Sequence, residues 1–377
     1  MKKYRKEFPF THKRINYLNH ASFGPIPLCS LKAKEEFNKY ATLQKTGDTD
    51  KIWFALLDKT RKKQAKLINA KVEEIGFCFN TSFGLNFAVC GLDLRPNDKV
   101  LLSDVEFPAN VYPWLSLKSK RVKIKFIPNK DRFFDIENFI KSIDSKTKVL
   151  SLSYIQFFNG FKNDLETIGK ICEKNDIFFV VDGIQGIGNL NLDVKKLKID
   201  FLSCGGQKWL LSGDACGFFY YSKKAKRKLK PSFSGWMGVD WKTNFTDLLR
   251  YDLKPFPDAR RFATGSYPFS SIMTMHSSLG LLLEIGIKNI EQHNRRLLDR
   301  LIEYLKDSPY KIRTDLNPKH RSSILSFSSK NTQKLYKKLT KKNIFVSYRE
   351  RGIRVSPHFY NTEEEIEALI AVLKKSA

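Results

Sequence analysis

The sequence predicts an α/β protein with a seven-stranded, mainly parallel sheet and a smaller C-terminal α+β unit. Three observations carry that expectation. Across residues 75–221, short β-branched and aromatic runs alternate with amphipathic stretches, as repeated strand–helix units do. The run Ile177-Phe178-Phe179-Val180-Val181 is apolar at every position, which suits a strand covered on both faces, and it ends on Asp182. Beyond Tyr221 the composition changes, with Pro231, Gly235, Gly238, Pro255 and Pro257 interrupting residues 230–261 before longer helical periodicities begin.

Residues 76–79 read as the first strand, and Asn80-Thr81-Ser82-Phe83-Gly84 after it as a helix start, because Asn side chains accept hydrogen bonds from first-turn amides. Strands follow at 99–103, 122–127 and 148–154, a helix at 164–174, and strands at 177–182, 201–204 and 217–221. Residues 230–261 look like a functional loop. Long helices are expected at 271–285 and 290–306, then a strand at 322–328 and helices at 334–341 and 363–375. The expected division is a large unit of residues 20–270 and a small one of residues 1–19 with 271–377.

A chain of 377 residues, 42% of them apolar, can bury a large core. No apolar stretch reaches spanning length, and the basic Met1-Lys2-Lys3-Tyr4-Arg5 start lacks the apolar centre of a signal peptide, so cytoplasmic residence is the expectation. The six cysteines are scattered without Cys-x-x-Cys spacing, which argues against a disulfide framework and against a zinc site, and no metal is expected. A formal charge of +28 raises nucleic-acid binding. The lysines are dispersed, however, and the densest run, residues 223–230, reads as a solvated helix without a nucleic-acid motif. Nucleic acid is therefore not expected as a partner, and a non-catalytic basic protein associating with it stands as the alternative from another class.

Lys208 lies in Ser203-Cys204-Gly205-Gly206-Gln207-Lys208-Trp209-Leu210, between a Gly-Gly pair and apolar residues where a cation is poorly hydrated. Burial lowers an amine's pKa toward nucleophilicity. Asp182, at a strand's carboxyl end one short crossover earlier, can pair with a protonated ring nitrogen. An amine able to hold an aldehyde and a carboxylate able to balance a pyridinium together suggest pyridoxal 5'-phosphate. Thr81 and Ser82, at the expected helix start, suit its phosphate, and Phe107 suits its ring face. Each has a plainer reading: a solvated lysine, an N-cap, a core aromatic. Gly186-Ile187-Gly188-Asn189-Leu190-Asn191 has asparagine where a dinucleotide fingerprint needs its third glycine, so no such site is expected.

With these residues assembled, the chain resembles the class V aminotransferase family of fold-type I pyridoxal-phosphate enzymes, which includes cysteine desulfurases, kynureninases and isopenicillin N epimerase-like proteins. The resemblance runs from Tyr17-Leu18-Asn19-His20-Ala21 through Glu106-Phe107-Pro108-Ala109-Asn110, the Asp182 and Lys208 motifs and Arg261-Phe262-Ala263-Thr264-Gly265-Ser266 to Ile353-Arg354-Val355-Ser356-Pro357-His358. It implies that Lys208 forms the Schiff base, Asp182 pairs with the pyridine nitrogen, Gln185 binds the ring oxygen, and Thr81 and Ser82 hold the phosphate. It also implies a homodimer with shared active sites, Gly265 and Ser266 of one subunit reaching the neighbour's phosphate. Arg354 would clamp the substrate carboxylate, with Asn19 and His20 lining the substrate mouth.

The chain departs from the pattern at Gln207, where histidine is usual and a glutamine amide can still donate to phosphate, and at Gly183 and Ala263. The resemblance implies an α-amino acid substrate, with transamination as the working reaction. A C–S or kynureninase-like lyase, or an epimerase, is the alternative. Residues 347–353 hold no cysteine, which disfavours a desulfurase working through a persulfide on that segment.

Overall fold

The computed structural model describes residues 1–13, 15–43, 49–241, 249 and 251–376. Its large sheet has seven strands in the order Ile75–Cys78, Gly217–Tyr221, Phe201–Gly205, Phe178–Asp182, Thr147–Ser153, Lys99–Ser103 and Lys123–Ile127. Neighbours run parallel except at Gly217–Tyr221, which is antiparallel to both its partners. The connection 206–216 explains that reversal: it carries the Lys208 loop and is too short for a crossover helix. The carboxyl ends of all the other strands therefore share one edge, where open α/β sheets bind ligands.

Alternate residues along the strands feed two cores. Leu101, Leu150, Val181 and Leu202 face one, and Val100, Val149, Val180 and Phe201 the other. The first core is covered by the helices Thr49–Ile68 and Phe269–Ile285, the second by Thr81–Gly91. Phe269–Ile285, expected with the C-terminal unit, instead buries Ile272, Met275 and Leu279 against the large sheet.

A third core lies under an antiparallel sheet ordered Ser347–Arg349, Gly352–Val355, Leu325–Ser328 and Lys311–Ile312. The helices Ile287–Lys306, Thr332–Lys341 and Glu363–Lys374 pack on it. The expected strand at 322–328 begins only at Leu325, because the Ser322 hydroxyl is turned aside to donate to the Gly160 carbonyl at 2.7 Å. The pair Asn16–Tyr17 and Ile344–Phe345 runs parallel and joins the N-terminal segment to this unit. The lysine-rich run forms the helix Lys223–Lys228, capped by the Ser222 side chain. The loop at 230–261 holds short 3-10 turns at Trp236–Gly238 and Ala259–Phe262, while its residues 242–248 and 250 lie outside the described residues. Among the described residues, no helix is long and apolar enough to cross a membrane.

Candidate active site

Thr81, Ser82, Phe107, Asp182, Gln207 and Lys208 line one cavity of about 540 Å³ at the carboxyl edge of the large sheet. Residues spread from position 81 to position 208 meet because each follows the end of a parallel strand. That volume is of the size that holds a cofactor together with a small substrate.

Asp182 is 1% exposed. Its Oδ1 accepts from the Ile184 amide at 2.9 Å, whereas its buried Oδ2 has no partner among the described residues. Burial pushes its carboxyl up to about 6, against the pull of the Ile184 amide and the Lys208 charge. A buried carboxylate oxygen without a donor is costly, and a protonated ring nitrogen placed against it removes that cost. The Lys208 amine is held down to about 8, first by burial and then by the Arg354 charge, with Asp182 acting the other way. Its Nζ lies 5.6 Å from the centroid of the Phe107 ring. An amine so depressed has a sizeable nucleophilic fraction near neutrality.

The helix Thr81–Gly91 opens with Asn80 as its cap, the Asn80 Oδ1 accepting from the Phe83 amide at 2.9 Å. That leaves the Thr81 and Ser82 amides, at the positive end of the helix, for an anion. Thr81 Oγ1 accepts from the Gly205 amide at 2.9 Å, fastening the helix start to the strand that leads into Lys208. A Cβ on Gly205 would sit 2.4 Å from Gln207 Oε1 and 3.2 Å from Thr81 Oγ1, so the Gln207 amide folds back beside Thr81. The donor set of amides, a hydroxyl and a carboxamide suits a phosphate. The residues present thus fit pyridoxal 5'-phosphate at both its ring and its phosphate.

Arg354 sits mid-strand in Gly352–Val355, 2% exposed. Its Nη1 donates to the Phe157 carbonyl at 2.6 Å and its Nη2 to Ser22 Oγ at 2.7 Å, while Nε has no partner among the described residues. No carboxylate pairs with it among the described residues, and burial pushes it down to about 9, helped by the charge of Arg349. A buried guanidinium without an acid calls for an anion. Asn19 reaches this group indirectly, its Oδ1 accepting from Ser22 Oγ at 2.7 Å.

The segment holding Asn19 also straps the lysine loop. The Gly24 amide donates to the Gln207 carbonyl at 2.9 Å, and a Cβ on Gly24 would lie 2.0 Å from the Lys208 carbonyl oxygen, so the strap closes only over glycine. His20 corrects the sequence expectation. Rather than lining the mouth it is fully buried, its Nδ1 2.8 Å from the Tyr360 hydroxyl and its ring packed on Trp209 and His358 at 4.7 and 4.0 Å. Burial holds it down to about 3, so it stays neutral and braces the floor under Lys208.

Gln185 is used on the same floor: its Nε2 donates to the Ala21 carbonyl at 3.0 Å and its Oε1 accepts from the Trp209 indole at 2.8 Å. One amide hydrogen is what remains for a ring oxygen. Gly265 and Ser266 line a separate cavity with Phe79 and Ala215, and do not border the Lys208 cavity of their own chain. Of the rejected glycine pair, Gly188 takes φ +87° with the Trp209 carbonyl oxygen 2.4 Å from where a Cβ would lie, a packing role behind the lysine loop.

Two residues escaped the sequence reading. Glu106 accepts from the Ser153 amide at 2.8 Å, the Ser153 hydroxyl and Asn110 Nδ2 at 3.0 Å, and burial pushes its carboxyl up to about 7; it moors the loop that presents Phe107. Gln156 is 1% exposed, just past the end of Thr147–Ser153, and neither end of its amide is partnered among the described residues. The only signal in the sequence is a polar residue set between Ile155 and Phe157 beyond a strand end.

The model of one family, "Aminotransferase class-V", matches residues 16–369. Among curated proteins, an uncharacterized aminotransferase of Schizosaccharomyces pombe is 28% identical over 381 residues, covering 99% of this chain and 95% of the relative. A probable cysteine desulfurase of Methanothermobacter thermautotrophicus is 27% identical over 398 residues, covering 99% and 97%. Among solved structures, the apo form of a cysteine desulfurase from Thermococcus onnurineus superposes with a TM-score of 0.89 at 24% identity, over 99% of this chain and 97% of that one.

Proposed function

The chain belongs to the aminotransferase class-V family, and from that premise we propose that this pyridoxal 5'-phosphate enzyme acts on an α-amino acid with transamination as its reaction. The observation that carries the proposal is the unpartnered Asp182 Oδ2 in the cavity that also holds the buried Lys208 amine. Pyridoxal 5'-phosphate, when bound, supplies an electron sink for the bond broken at the substrate α-carbon. Lys208 Nζ would hold the cofactor covalently and, once released, move the proton at the α-carbon. Asp182 Oδ2 would meet the ring nitrogen, while Thr81, Ser82 and Gln207 hold the phosphate and Arg354 takes the substrate carboxylate.

A second reading has specific support: C–S bond cleavage without a protein thiol. Curated relatives carry the name cysteine desulfurase, yet none of the cysteines borders the Lys208 cavity and the 347–353 segment has none. Burial pushes the nearby Cys204 thiol well above its usual range, away from nucleophilic form.

Single amino acids added to the cofactor-loaded protein should shift its visible absorption. Pyridoxamine and an oxo acid as products support transamination; sulfide or ammonia would replace that reading by elimination, and an inverted stereocentre by epimerisation. Arg354→Ala is expected to raise the half-saturating concentration about 100-fold, since a charge-assisted bidentate contact is lost. An unchanged value would remove Arg354 from the substrate site.

We also infer a homodimer in which Gly265 and Ser266 complete the neighbour's phosphate site. What supports it is that they border an aromatic cavity adjoining the Lys208 cavity rather than that cavity itself, and that Phe79, Tyr112 and Phe233 are exposed. The mass in solution should be that of two chains; a fully active monomer would overturn this.

A further inference from the structure

We propose that Arg349 recognises a second negative charge on the substrate, so that the preferred substrates are α-amino acids with an anionic side chain. The inference rests on the amino-acid reading of the Lys208 site and deepens it.

The placement follows from strand register. Ser347–Arg349 runs antiparallel to Gly352–Val355, with Ser347 opposite Arg354 and Arg349 opposite Gly352. Side chains alternate along a strand, so Arg349 and Arg354 share one face of the hairpin as diagonal neighbours. The position opposite Arg349 carries no side chain, and the space beside Gly352 is taken by another cation, a Cβ there lying 2.4 Å from Arg313 Nη1. Arg349 and Arg354 are close enough that each Arg349 charge is felt by Arg354 and by Lys208, which it holds down further.

Arg349 is exposed, and its one hydrogen bond runs from Nη1 to the carbonyl of its neighbour Tyr348 at 3.2 Å. It has no ion pair among the described residues. The adjacent acid, Glu350, is committed elsewhere, pairing with Arg132 at 3.1 Å while its carbonyl accepts from Arg313. Two guanidiniums on one strand face repel each other, and an anionic group between them and the lysine would relieve that repulsion.

Asp182 would match the ring nitrogen, the start of Thr81–Gly91 the phosphate, and Arg354 the substrate's α-carboxylate. Asp214 borders the cavity alongside the phosphate-side residues Thr81, Ser82 and Gln207. Arg349, diagonal to Arg354 on the same strand face, is left over, and a side-chain carboxylate or sulfinate on the substrate would complete it. An amide of the same shape would leave it uncompensated.

The test is a spectral titration of the cofactor-loaded protein with L-aspartate, L-asparagine, L-glutamate and L-glutamine, reading the half-saturating concentration of each. The acid of at least one pair should bind roughly tenfold more tightly than its amide, the size expected for one exposed charge-assisted contact. Arg349→Gln should bring that ratio to near unity, Arg349→Lys should restore part of it, and Arg351→Gln, which removes an equal charge from the same turn, should leave it intact. Equal binding of acid and amide in the wild type, or an acid preference that survives Arg349→Gln, overturns the proposal while leaving the Lys208 reading standing. A protein that responds to neutral amino acids alone does the same. A cofactor band that no amino acid shifts would instead remove the Lys208 reading, and this proposal with it.

Discussion

Lys208→Ala is expected to abolish the visible absorption of the cofactor-loaded protein and to lower turnover by at least about 10³-fold, because in the proposed site one side chain would both hold the cofactor and move the substrate's α-proton. The fold should survive. The side chain lines a cavity rather than a packed core, and deleting a depressed amine near Arg354 removes a repulsion. Attachment of the cofactor to the wild-type apoprotein should also quicken as pH rises through about 8, where Lys208 loses its proton to become a nucleophile. Retention of the absorption band in the alanine variant, with the cofactor still resistant to dialysis, would assign the covalent role to another lysine.

Asp182→Asn is expected to act in opposite directions on activity and on stability. Turnover should fall by about 10²-fold or more, since a carboxamide cannot keep a ring nitrogen protonated where negative charge develops. The apoprotein should nevertheless become more stable. In the folded chain Asp182 keeps its proton up to about pH 6, whereas the unfolded chain releases it near 3.8, so the folded state binds more protons between those values. This group's contribution to stability is therefore fully present below 3.8 and is lost as pH rises through 6. Above pH 6 the buried charge costs about 3 kcal/mol, and asparagine, isosteric and neutral, removes that cost. Denaturant unfolding of the two apoproteins should show the variant ahead at pH 7.5 and level with wild type near pH 4. Loading the cofactor should shrink or reverse the difference, because a protonated ring nitrogen compensates the charge in wild type alone. A variant that is less stable than wild type at pH 7.5 without cofactor would mean that Oδ2 has a donor inside the protein.

Much of the site was legible because strand ends are legible. The apolar run closing on Asp182 and the Gly-Gly pair before Lys208 both announce a switch from buried strand to functional loop, and their meeting in one cavity needs only a parallel sheet. The glutamine at 156 carried too little local contrast to stand out among aromatic neighbours. The family resemblance implies a place at the mouth for His20, but Trp209, His358 and Tyr360 enclose it, and those partners come from far along the chain.

Periodicity and strand-end chemistry, both local properties, were enough for the sequence by itself to determine an α/β sheet, the strand that delivers Asp182 and the loop that delivers Lys208. Only the tertiary structure decided which polar groups lose water without gaining a partner. Among the described residues Asp182 Oδ2 is unmatched, and Arg354 meets the Phe157 carbonyl and the Ser22 hydroxyl, both remote in sequence, rather than an acid. Desolvation is set by neighbours brought in from distant parts of the chain, and those groups left wanting a counterpart are where this protein's chemistry resides.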